Sequence, residues 1–131
     1  MNIQIRTPQK HSDVRGLLVE VLRRDEIQRD MMHTYLVIAK LDAVRGNHFH
    51  KRKTEWFFIV KGTAKFVLED NFSKERKELI LTGKRPTVLE IGPNVTHALK
   101  NVGEDELYFI VIADEVFNPK DPDTFANAII L

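Results

Sequence analysis

Two histidines, His48 and His50, stand two residues apart shortly before a run of aromatic and β-branched residues at positions 56–60. That composition is typical of a β-strand. Because successive side chains of a strand alternate between its faces, the imidazoles of His48 and His50 are predicted to lie on the same face. Glu55 follows a short polar connection, and a hairpin there would return its carboxylate to the two imidazoles. The spacing therefore predicts a β-rich chain with a polar cluster at its centre.

A further candidate ligand, His97, lies far downstream, after a turn-like segment at residues 93–96. Three imidazoles and one carboxylate suit a divalent transition ion, and we expect zinc, with manganese, iron or nickel as alternatives. A lone histidine in a strand is more often a hydrogen-bonded polar residue, but here three of the five histidines share one pattern with a glutamate. The predicted metal ligands are His48, His50, Glu55 and His97.

Length and composition restrict the class of protein. A chain of 131 residues with 43% hydrophobic residues predicts a single domain, residues 1–131, with a substantial core. Lys and Arg number 20 against 19 Asp and Glu, so no charge excess favours nucleic acid or an anionic membrane. The absence of cysteine excludes disulfides and thiolate ligands. No apolar run approaches a membrane span and the first residues lack a signal-peptide pattern, so we expect a cytoplasmic protein.

Short apolar runs separated by Gly, Pro or Asn turns recur along the whole chain, without a helical repeat. This pattern is typical of an all-β sandwich or barrel. The tail that follows residue 113 is rich in Pro and Asp and is predicted to close over the barrel, with Phe117 and Phe125 as plugs. The predicted strands are residues 3–6, 16–22, 33–41, 55–61, 63–69, 77–81, 86–91, 96–102 and 106–113.

The histidine pattern resembles the two motifs of the cupin superfamily. This resemblance implies a double-stranded β-helix, the cupin jelly-roll barrel, with the four candidate ligands inside it. The second motif departs from the usual pattern, since Gly92 replaces a proline and Asn94 a glycine; Asp42 also replaces a glycine before the first motif. Asparagine tolerates positive φ better than other non-glycine residues, so we expect the turn at Asn94 to be kept. The matching residues are His48, His50, Glu55 and Gly62 in the first motif and Gly83, His97 and Asn101 in the second.

An Asp-x-Arg-Gly-x-x-x-Glu segment, residues 13–20, resembles the N-terminal signature of nucleotide-sugar cupins such as the dTDP-4-keto-6-deoxyhexose epimerases. The resemblance implies that Arg15 contacts a diphosphate and Glu20 a nucleotide, across the interface of a homodimer. A planar, bidentate guanidinium suits phosphate oxygens. From the residues alone, the segment is an edge hairpin with solvated charges. Lys51 and Lys53, next to the candidate ligands, either bind phosphate or are solvated.

The Gly-Asn-His-x-His string and the tail resemble the cupin domain of capsular-polysaccharide enzymes that join an epimerase cupin to a short-chain reductase. The resemblance implies a metal-dependent epimerase that acts beside the 4-keto group of a UDP- or dTDP-linked 6-deoxyhexose in surface-polysaccharide biosynthesis. No glycine-rich dinucleotide motif is present, so a redox step is expected on a separate reductase. The choice between epimerisation and ketoisomerisation stays open, although ketoisomerase cupins typically lack the glutamate. Two other functions also stay open: a cupin dioxygenase, and a non-catalytic metal-containing module that binds sugar.

Epimerisation needs a base on one face of the sugar and a proton donor on the other. In the epimerase relatives an Arg-Gly-x-His string supplies the base, which His48 matches, so His48 is either a metal ligand or a free base; its neighbours favour the ligand. Tyr108 is the preferred donor because it lies in the last core strand. The alternative interpretation is that Tyr108 is an ordinary buried tyrosine of a strand without a catalytic role. Further candidates for proton transfer are Tyr35, Lys61, His33 and Lys51.

Overall fold

The computed structural model describes residues 1–130, which form twelve β-strands and one short α-helix. All nine strands predicted from the sequence begin and end within two residues of the prediction. Strands β2, β5 and β12 complete the set. The elements are β1 (Ile3–Arg6), β2 (Gln9–Asp13), β3 (Gly16–Glu20), α1 (Arg24–Ile27), β4 (His33–Ala39), β5 (Val44–Phe49), β6 (Glu55–Lys61), β7 (Thr63–Asp70), β8 (Arg76–Thr82), β9 (Val88–Ile91), β10 (Val95–Asn101), β11 (Leu107–Ala113) and β12 (Phe125–Ala126).

Two five-stranded antiparallel sheets face each other. Their strand orders are β1-β9-β6-β11-β4 and β12-β5-β10-β7-β8. Side chains that alternate inward from both sheets fill the space between them, among them Phe57, Phe66 and Phe109, each at most 5% exposed. This arrangement confirms the predicted all-β jelly-roll barrel.

The N-terminal segment covers part of the outer face of the first sheet. Strands β2 and β3 pair as a separate hairpin, and the segment after β3 packs Ile27 of α1 against Trp56 and Phe58. Trp56 is 1% exposed, and its Nε1 donates to Glu90 Oε1 at 2.8 Å. No helix within residues 1–130 has the length and apolar character needed to cross a membrane.

Close contact between β5 and β10 brings two predicted ligands together. His48 pairs directly with His97, and the register then shifts between His97 and Ala98. Gly46 has φ +89°, and a Cβ atom there would lie 2.7 Å from the carbonyl oxygen of His97. Glycine is required here both by the backbone conformation and by the approach of the neighbouring strand.

The turns of the two motifs keep the geometry that glycine usually supplies. Asn94 has φ 64° and Asp42 has φ 61°. The prediction that the turn survives with Asn94 is confirmed, because asparagine adopts the left-handed region at low cost.

Candidate metal centre

The four predicted ligands meet at one end of the barrel. One nitrogen or oxygen atom of each lies within 4.8 Å of the others. His48 lies near the end of β5 and His97 near the start of β10, while Glu55 is the first residue of β6 and His50 follows β5 directly. Alternation along β5 and the pairing of β5 with β10 therefore place the imidazoles on the inner face, as the sequence pattern predicts.

Glu55 lies between two of the imidazoles. Its Oε1 is 2.8 Å from His50 Nε2 and 3.2 Å from His97 Nε2. The ring centroids of His48 lie 5.0 Å from His50 and 4.8 Å from His97. His50, Glu55 and His97 are each at most 4% exposed, so this polar group is shielded from bulk water.

Backbone carbonyl groups fix two of the imidazoles. His50 Nδ1 is 2.7 Å from the carbonyl oxygen of Asp123, and His97 Nδ1 is 3.1 Å from that of Val95. Because a carbonyl oxygen only accepts, Nδ1 carries the hydrogen in both rings. Nε2 of each ring faces Glu55: in the neutral ring it presents a lone pair that a metal ion can bind, and in the protonated ring it presents an N–H to the carboxylate. His48 has no such bond to a described residue.

One buried nitrogen of this cluster is unsatisfied. His97 Nε2 has no hydrogen-bond partner among residues 1–130, although Glu55 Oε1 is 3.2 Å away. A buried lone pair beside a carboxylate oxygen needs a cation between them, either a proton or a metal ion. Three imidazole nitrogens and one carboxylate oxygen form a donor set that fits a divalent transition ion.

The electrostatics of the cluster set the protonation states that ligation requires. Burial raises the pKa of the Glu55 carboxyl, but the neighbouring His50 and His97 outweigh burial and leave the pKa well below its usual range. Burial, together with the neighbouring His97 and His50, lowers the pKa of His48 to about 4. At neutral pH Glu55 is therefore ionised and His48 neutral, the forms in which both side chains bind metals.

Two hollows border the cluster, and Tyr35, His48 and Glu55 line both. The first, about 80 Å³, extends into the barrel between apolar side chains such as Phe109. The second, about 270 Å³, lies toward the surface. Its remaining wall consists of His33, His50, Lys53, Ala113, Glu115, Phe117 and Thr124.

Tyr35 and His33 are the predicted proton-transfer residues that the fold brings to the cluster. The Tyr35 hydroxyl donates to Glu55 Oε2 at 3.2 Å. Burial, followed by the charge of Glu55 and this hydrogen bond, raises the pKa of Tyr35, so the phenol stays protonated. The backbone N–H of Phe117 donates to His33 Nδ1 at 3.2 Å, so neutral His33 carries its hydrogen on Nε2.

Lys53 lines the larger hollow, whereas the sequence suggested either phosphate binding or a solvated side chain. Its side chain is 6% exposed, and no ion pair to it occurs within residues 1–130. The Nζ atom lies 5.8 Å from the centroid of the Phe117 ring. Its position two residues before Glu55 is the only sequence signal, and lysines in such polar connections are usually solvated.

Tyr108 and Lys61 lie away from the cluster. They pair with each other across β11 and β6, on the face opposite to Phe109. Lys61 borders a different surface hollow, formed by the turns around Gly62 and Gly83. The preference for Tyr108 as donor is therefore not supported by this geometry, because alternation along β11 turns its side chain outward.

Lys51 and the N-terminal pair also lie outside the cluster. The Nζ atom of Lys51 lies 4.4 Å above the ring of Phe125, which itself stacks on Phe49. In the β2–β3 hairpin, the guanidinium of Arg15 donates hydrogen bonds to the carboxylate of Asp13, with Nη2 2.6 Å from Oδ2. Glu20 accepts from His11, with 2.9 Å between Nε2 and Oε2. The single chain does not bring Arg15 and Glu20 to the metal ligands.

The tail differs from its predicted role as a plug. Phe125 is 38% exposed and forms the short strand β12 beside β5. Phe117 is 49% exposed at the rim of the larger hollow. The buried residue of the tail is Asp123, at 2% exposed, which sequence reasoning missed because aspartate is rarely buried.

A jelly-roll barrel with three histidines and a glutamate converging from its two motifs defines a cupin. Residues 11–125 match the family of polysaccharide biosynthesis C-terminal domains, and the chain belongs to that family.

Comparisons with known proteins agree. The UDP-2-acetamido-2,6-beta-L-arabino-hexul-4-ose reductase of Pseudomonas aeruginosa is 34% identical over 119 residues, which cover 91% of this chain and 31% of the relative. The capsular polysaccharide assembling protein CapF of Staphylococcus aureus is 26% identical with a TM-score of 0.73, over 93% of this chain and 34% of CapF. This chain thus spans about a third of the length of both proteins. The resemblance to cupin domains of capsular-polysaccharide enzymes is confirmed.

A 3,4-ketoisomerase of Helicobacter canadensis shares the fold over more of its own length. It has a TM-score of 0.84 at 24% identity, and the match covers 97% of this chain and 92% of that chain. At this identity the likeness concerns the fold.

Proposed function

We propose that this chain is an isomerase-class enzyme that epimerises a UDP- or dTDP-linked 4-keto-6-deoxy sugar at the carbon next to the keto group, in the synthesis of surface polysaccharides. The observation that carries the proposal is the convergence of His48, His50, Glu55 and His97 beside a hollow lined by further titratable side chains. Membership of the polysaccharide biosynthesis family supports the pathway class.

The proposed ligands of a divalent ion, zinc in the first instance, are the same four residues. Such an ion, when bound, supplies a Lewis acid that polarises a carbonyl oxygen. The chain itself supplies the shielding: His50, Glu55 and His97 are almost fully buried, so a polar group of the substrate would meet them out of bulk water. The neutral His48 and ionised Glu55 need no change of protonation to bind the ion.

Epimerisation proceeds by removal of a proton from the carbon next to the ketone and return of a proton to the opposite face. We assign the return to Tyr35, since its raised pKa keeps the phenol protonated and it lies on both hollows. His33 and Lys53 are the two candidates for the other proton transfer, because both line the larger hollow. His33 would accept the proton on Nδ1 after giving up its hydrogen bond from the Phe117 N–H, and Lys53 would accept it only as the neutral amine. As an ammonium, Lys53 would instead hold an anionic oxygen of the substrate.

We further propose a homodimer in which the β2–β3 hairpin serves the site of a second copy. Leu17 and Leu18 are 56% and 58% exposed on a two-stranded sheet, which is marginal by itself. Arg15 and Glu20 would then reach the diphosphate and nucleotide in the partner's hollow. A reduction step, as in the name of the Pseudomonas relative, would fall to a reductase domain or protein other than residues 1–131.

Solvent deuterium exchange tests the proposal. A UDP- or dTDP-4-keto-6-deoxyhexose is incubated with the zinc-loaded chain in D₂O, and the hydrogen at carbon 3 is followed by NMR. We expect exchange with the wild type and its loss in the His50→Ala variant. Absence of exchange with every keto sugar tested contradicts the proposal, and oxygen consumption in its place would favour a dioxygenase.

A 3,4-ketoisomerase is the second candidate, favoured by the fold match over nearly the whole length of the Helicobacter enzyme. Both reactions begin with loss of the same proton, so exchange alone does not separate them. The product does: an epimer keeps the keto group at carbon 4, whereas the ketoisomer carries it at carbon 3. The carbonyl position in the ¹³C spectrum decides between the two.

A further inference from the structure

The tail crosses the loop that connects β5 and β6. One buried residue of the tail, Asp123, forms four hydrogen bonds with this loop and the histidine before it. The carboxylate of Asp123 accepts three hydrogen bonds from consecutive backbone amides. Oδ1 accepts from Lys51 at 2.9 Å, and Oδ2 accepts from Arg52 and Lys53 at 3.0 Å each. A side chain 70 or more residues further along the chain therefore sets the conformation of the loop between His50 and Glu55.

The backbone of the same residue contacts a proposed ligand. The carbonyl oxygen of Asp123 accepts from His50 Nδ1 at 2.7 Å. This bond fixes the tautomer and the ring orientation of His50, so that Nε2 faces Glu55 Oε1 at 2.8 Å. Partners of this kind orient the ligands of metal sites and raise their basicity.

The backbone at Asp123 also indicates a specialised position. Its φ is 47°, in the left-handed region that non-glycine residues rarely adopt. The three amide hydrogen bonds satisfy a carboxylate that would otherwise be costly to bury. Strained residues in buried, fully bonded positions tend to occur where geometry matters to a site.

We propose that Asp123 is a positioning residue of the metal centre. Through its carbonyl it presents Nε2 of His50, and through its carboxylate it holds the loop that carries Lys53 into the wall of the larger hollow. The inference rests on the proposed function in one respect, the presence of an ion. The tail thus contributes to the site through Asp123 and not through the partly exposed rings of Phe117 and Phe125.

Asp123→Gly is the informative variant, because glycine keeps the positive φ without strain and removes only the carboxylate. The matched control is Asp121→Asn, a tail acid that is 64% exposed and pairs with Arg52 at the surface. Two readouts are taken on each folded protein: zinc affinity, by competition with a chromophoric chelator, and the tautomer of His50, by long-range ¹H–¹⁵N correlation in the zinc-free state.

Without the carboxylate, residue 123 is no longer tied to the loop, and its carbonyl is no longer held on His50 Nδ1. We therefore expect Asp123→Gly to weaken zinc binding by about 10- to 100-fold, the usual cost of losing an outer partner of a ligand. We also expect His50 to lose its uniform Nδ1–H form, while Asp121→Asn leaves both readouts unchanged. A general loss of stability would lower the melting temperature without changing the tautomer of the folded chain. Wild-type affinity and tautomer in Asp123→Gly overturn the proposal.

A wild-type chain that binds no zinc would contradict the proposed metal centre, and the tautomer comparison would still decide the role of Asp123. Should Asp123→Gly fail to fold, Asp123→Asn takes its place. Asparagine tolerates the same φ but offers an amide group to some of the three N–H donors. An Asn variant with the wild-type tautomer and wild-type affinity overturns the proposal equally.

Discussion

The hydroxyl of Tyr35 donates a hydrogen bond to Oε2 of Glu55 at 3.2 Å, while Oε1 of the same carboxylate faces His50 and His97. One carboxylate thus joins the proposed metal ligands to the proposed proton donor. Removal of the Tyr35 hydroxyl is expected to slow catalysis while His50, Glu55 and His97 keep their positions.

Tyr35→Phe is expected to slow epimerisation by about 100-fold or more, the usual contribution of a general acid. The free energy of unfolding should fall by only about 1 kcal/mol, since one hydrogen bond at a partly exposed site is lost. The measurement is kcat for the keto sugar, together with urea unfolding.

Tyr108→Phe is the matched control, because Tyr108 lies on the outer side of the same sheet. Its kcat should equal that of the wild type. A large loss in Tyr108→Phe with none in Tyr35→Phe would reverse the assignment of the donor.

The outward orientation of Tyr108, which the sequence did not predict, has a physical origin. Strand β11 is apolar on both faces, from Leu107 to Ala113, because the N-terminal segment covers part of the outer face of its sheet. An alternating pattern shows which face is inside only when the other face is polar. The sequence therefore predicted that Tyr108 lies in a core strand but not toward which side it points.

Replacing His48 separates the two roles that the sequence left open. If His48 is a ligand, as we expect, His48→Asn lowers zinc affinity by more than 100-fold, beyond the roughly 10- to 100-fold cost of losing an outer partner. If it is the base, zinc binding is retained and only carbon-3 exchange is lost. Chelator competition and deuterium exchange on the same preparation decide between them.

Glu55→Gln tests the carboxylate. The amide keeps the shape of the side chain but removes the charge that faces the two imidazoles. We expect a loss of zinc affinity beyond about 100-fold, more than the loss of an outer partner causes. Glu78→Gln, at a surface pair with Lys65, should bind zinc as the wild type does; equal affinity in both variants would remove Glu55 from the ligand set.

The metal-free protein should lose stability on acidification before its carboxylates protonate. The pKa of His48 is about 4 in the folded chain against 6.5 when free, so the unfolded state takes up the proton first. Stability is then complete above pH 6.5 and falls as the pH drops to 4, by at most about 3 kcal/mol because His48 is partly open to solvent.

Urea unfolding in EDTA between pH 7 and pH 4 measures how much His48 contributes to the free energy of unfolding, with His48→Asn as the comparison. The variant should show a flatter profile over that range. The contribution of Glu55, whose folded pKa is lowered, is lost only below its ordinary value of 4.5. Identical profiles for the two proteins would contradict the burial effect at His48.

Gly46→Ala is expected to lower the free energy of unfolding by about 1–3 kcal/mol, the range for a strained backbone position. The added methyl would meet the carbonyl of His97 at 2.7 Å and push β5 away from β10, so zinc affinity should fall too. Gly103→Ala is the control, since its Cβ has no contact below 3.4 Å. Equal free energies of unfolding for the two variants would show that β5 and β10 can separate by this amount without loss of stability.

Much of the fold followed from the sequence because strand alternation is a local property, and the clustering of His48, His50 and Glu55 followed from their spacing. His97 was placed by its turn context and by the resemblance to the second cupin motif. The role of Asp123 and the burial of Lys53 did not follow, because they depend on contacts between the loop after β5 and the tail. Charged residues in polar connections are normally solvated, and only the packing of the tail onto the loop buries these two. Local pattern carries no information about such a distant pairing.

Trp56 is the single tryptophan of the chain, and it follows Glu55 directly on β6, with its indole buried against the outer face of the sheet. Trp56 is therefore an intrinsic fluorophore adjacent in sequence to Glu55, whose carboxylate lies on the inner face. Emission should stay blue-shifted in the native state, and a quenching ion such as copper(II) seated at Glu55 should dim it. Titrations at micromolar concentration can then proceed without an attached dye.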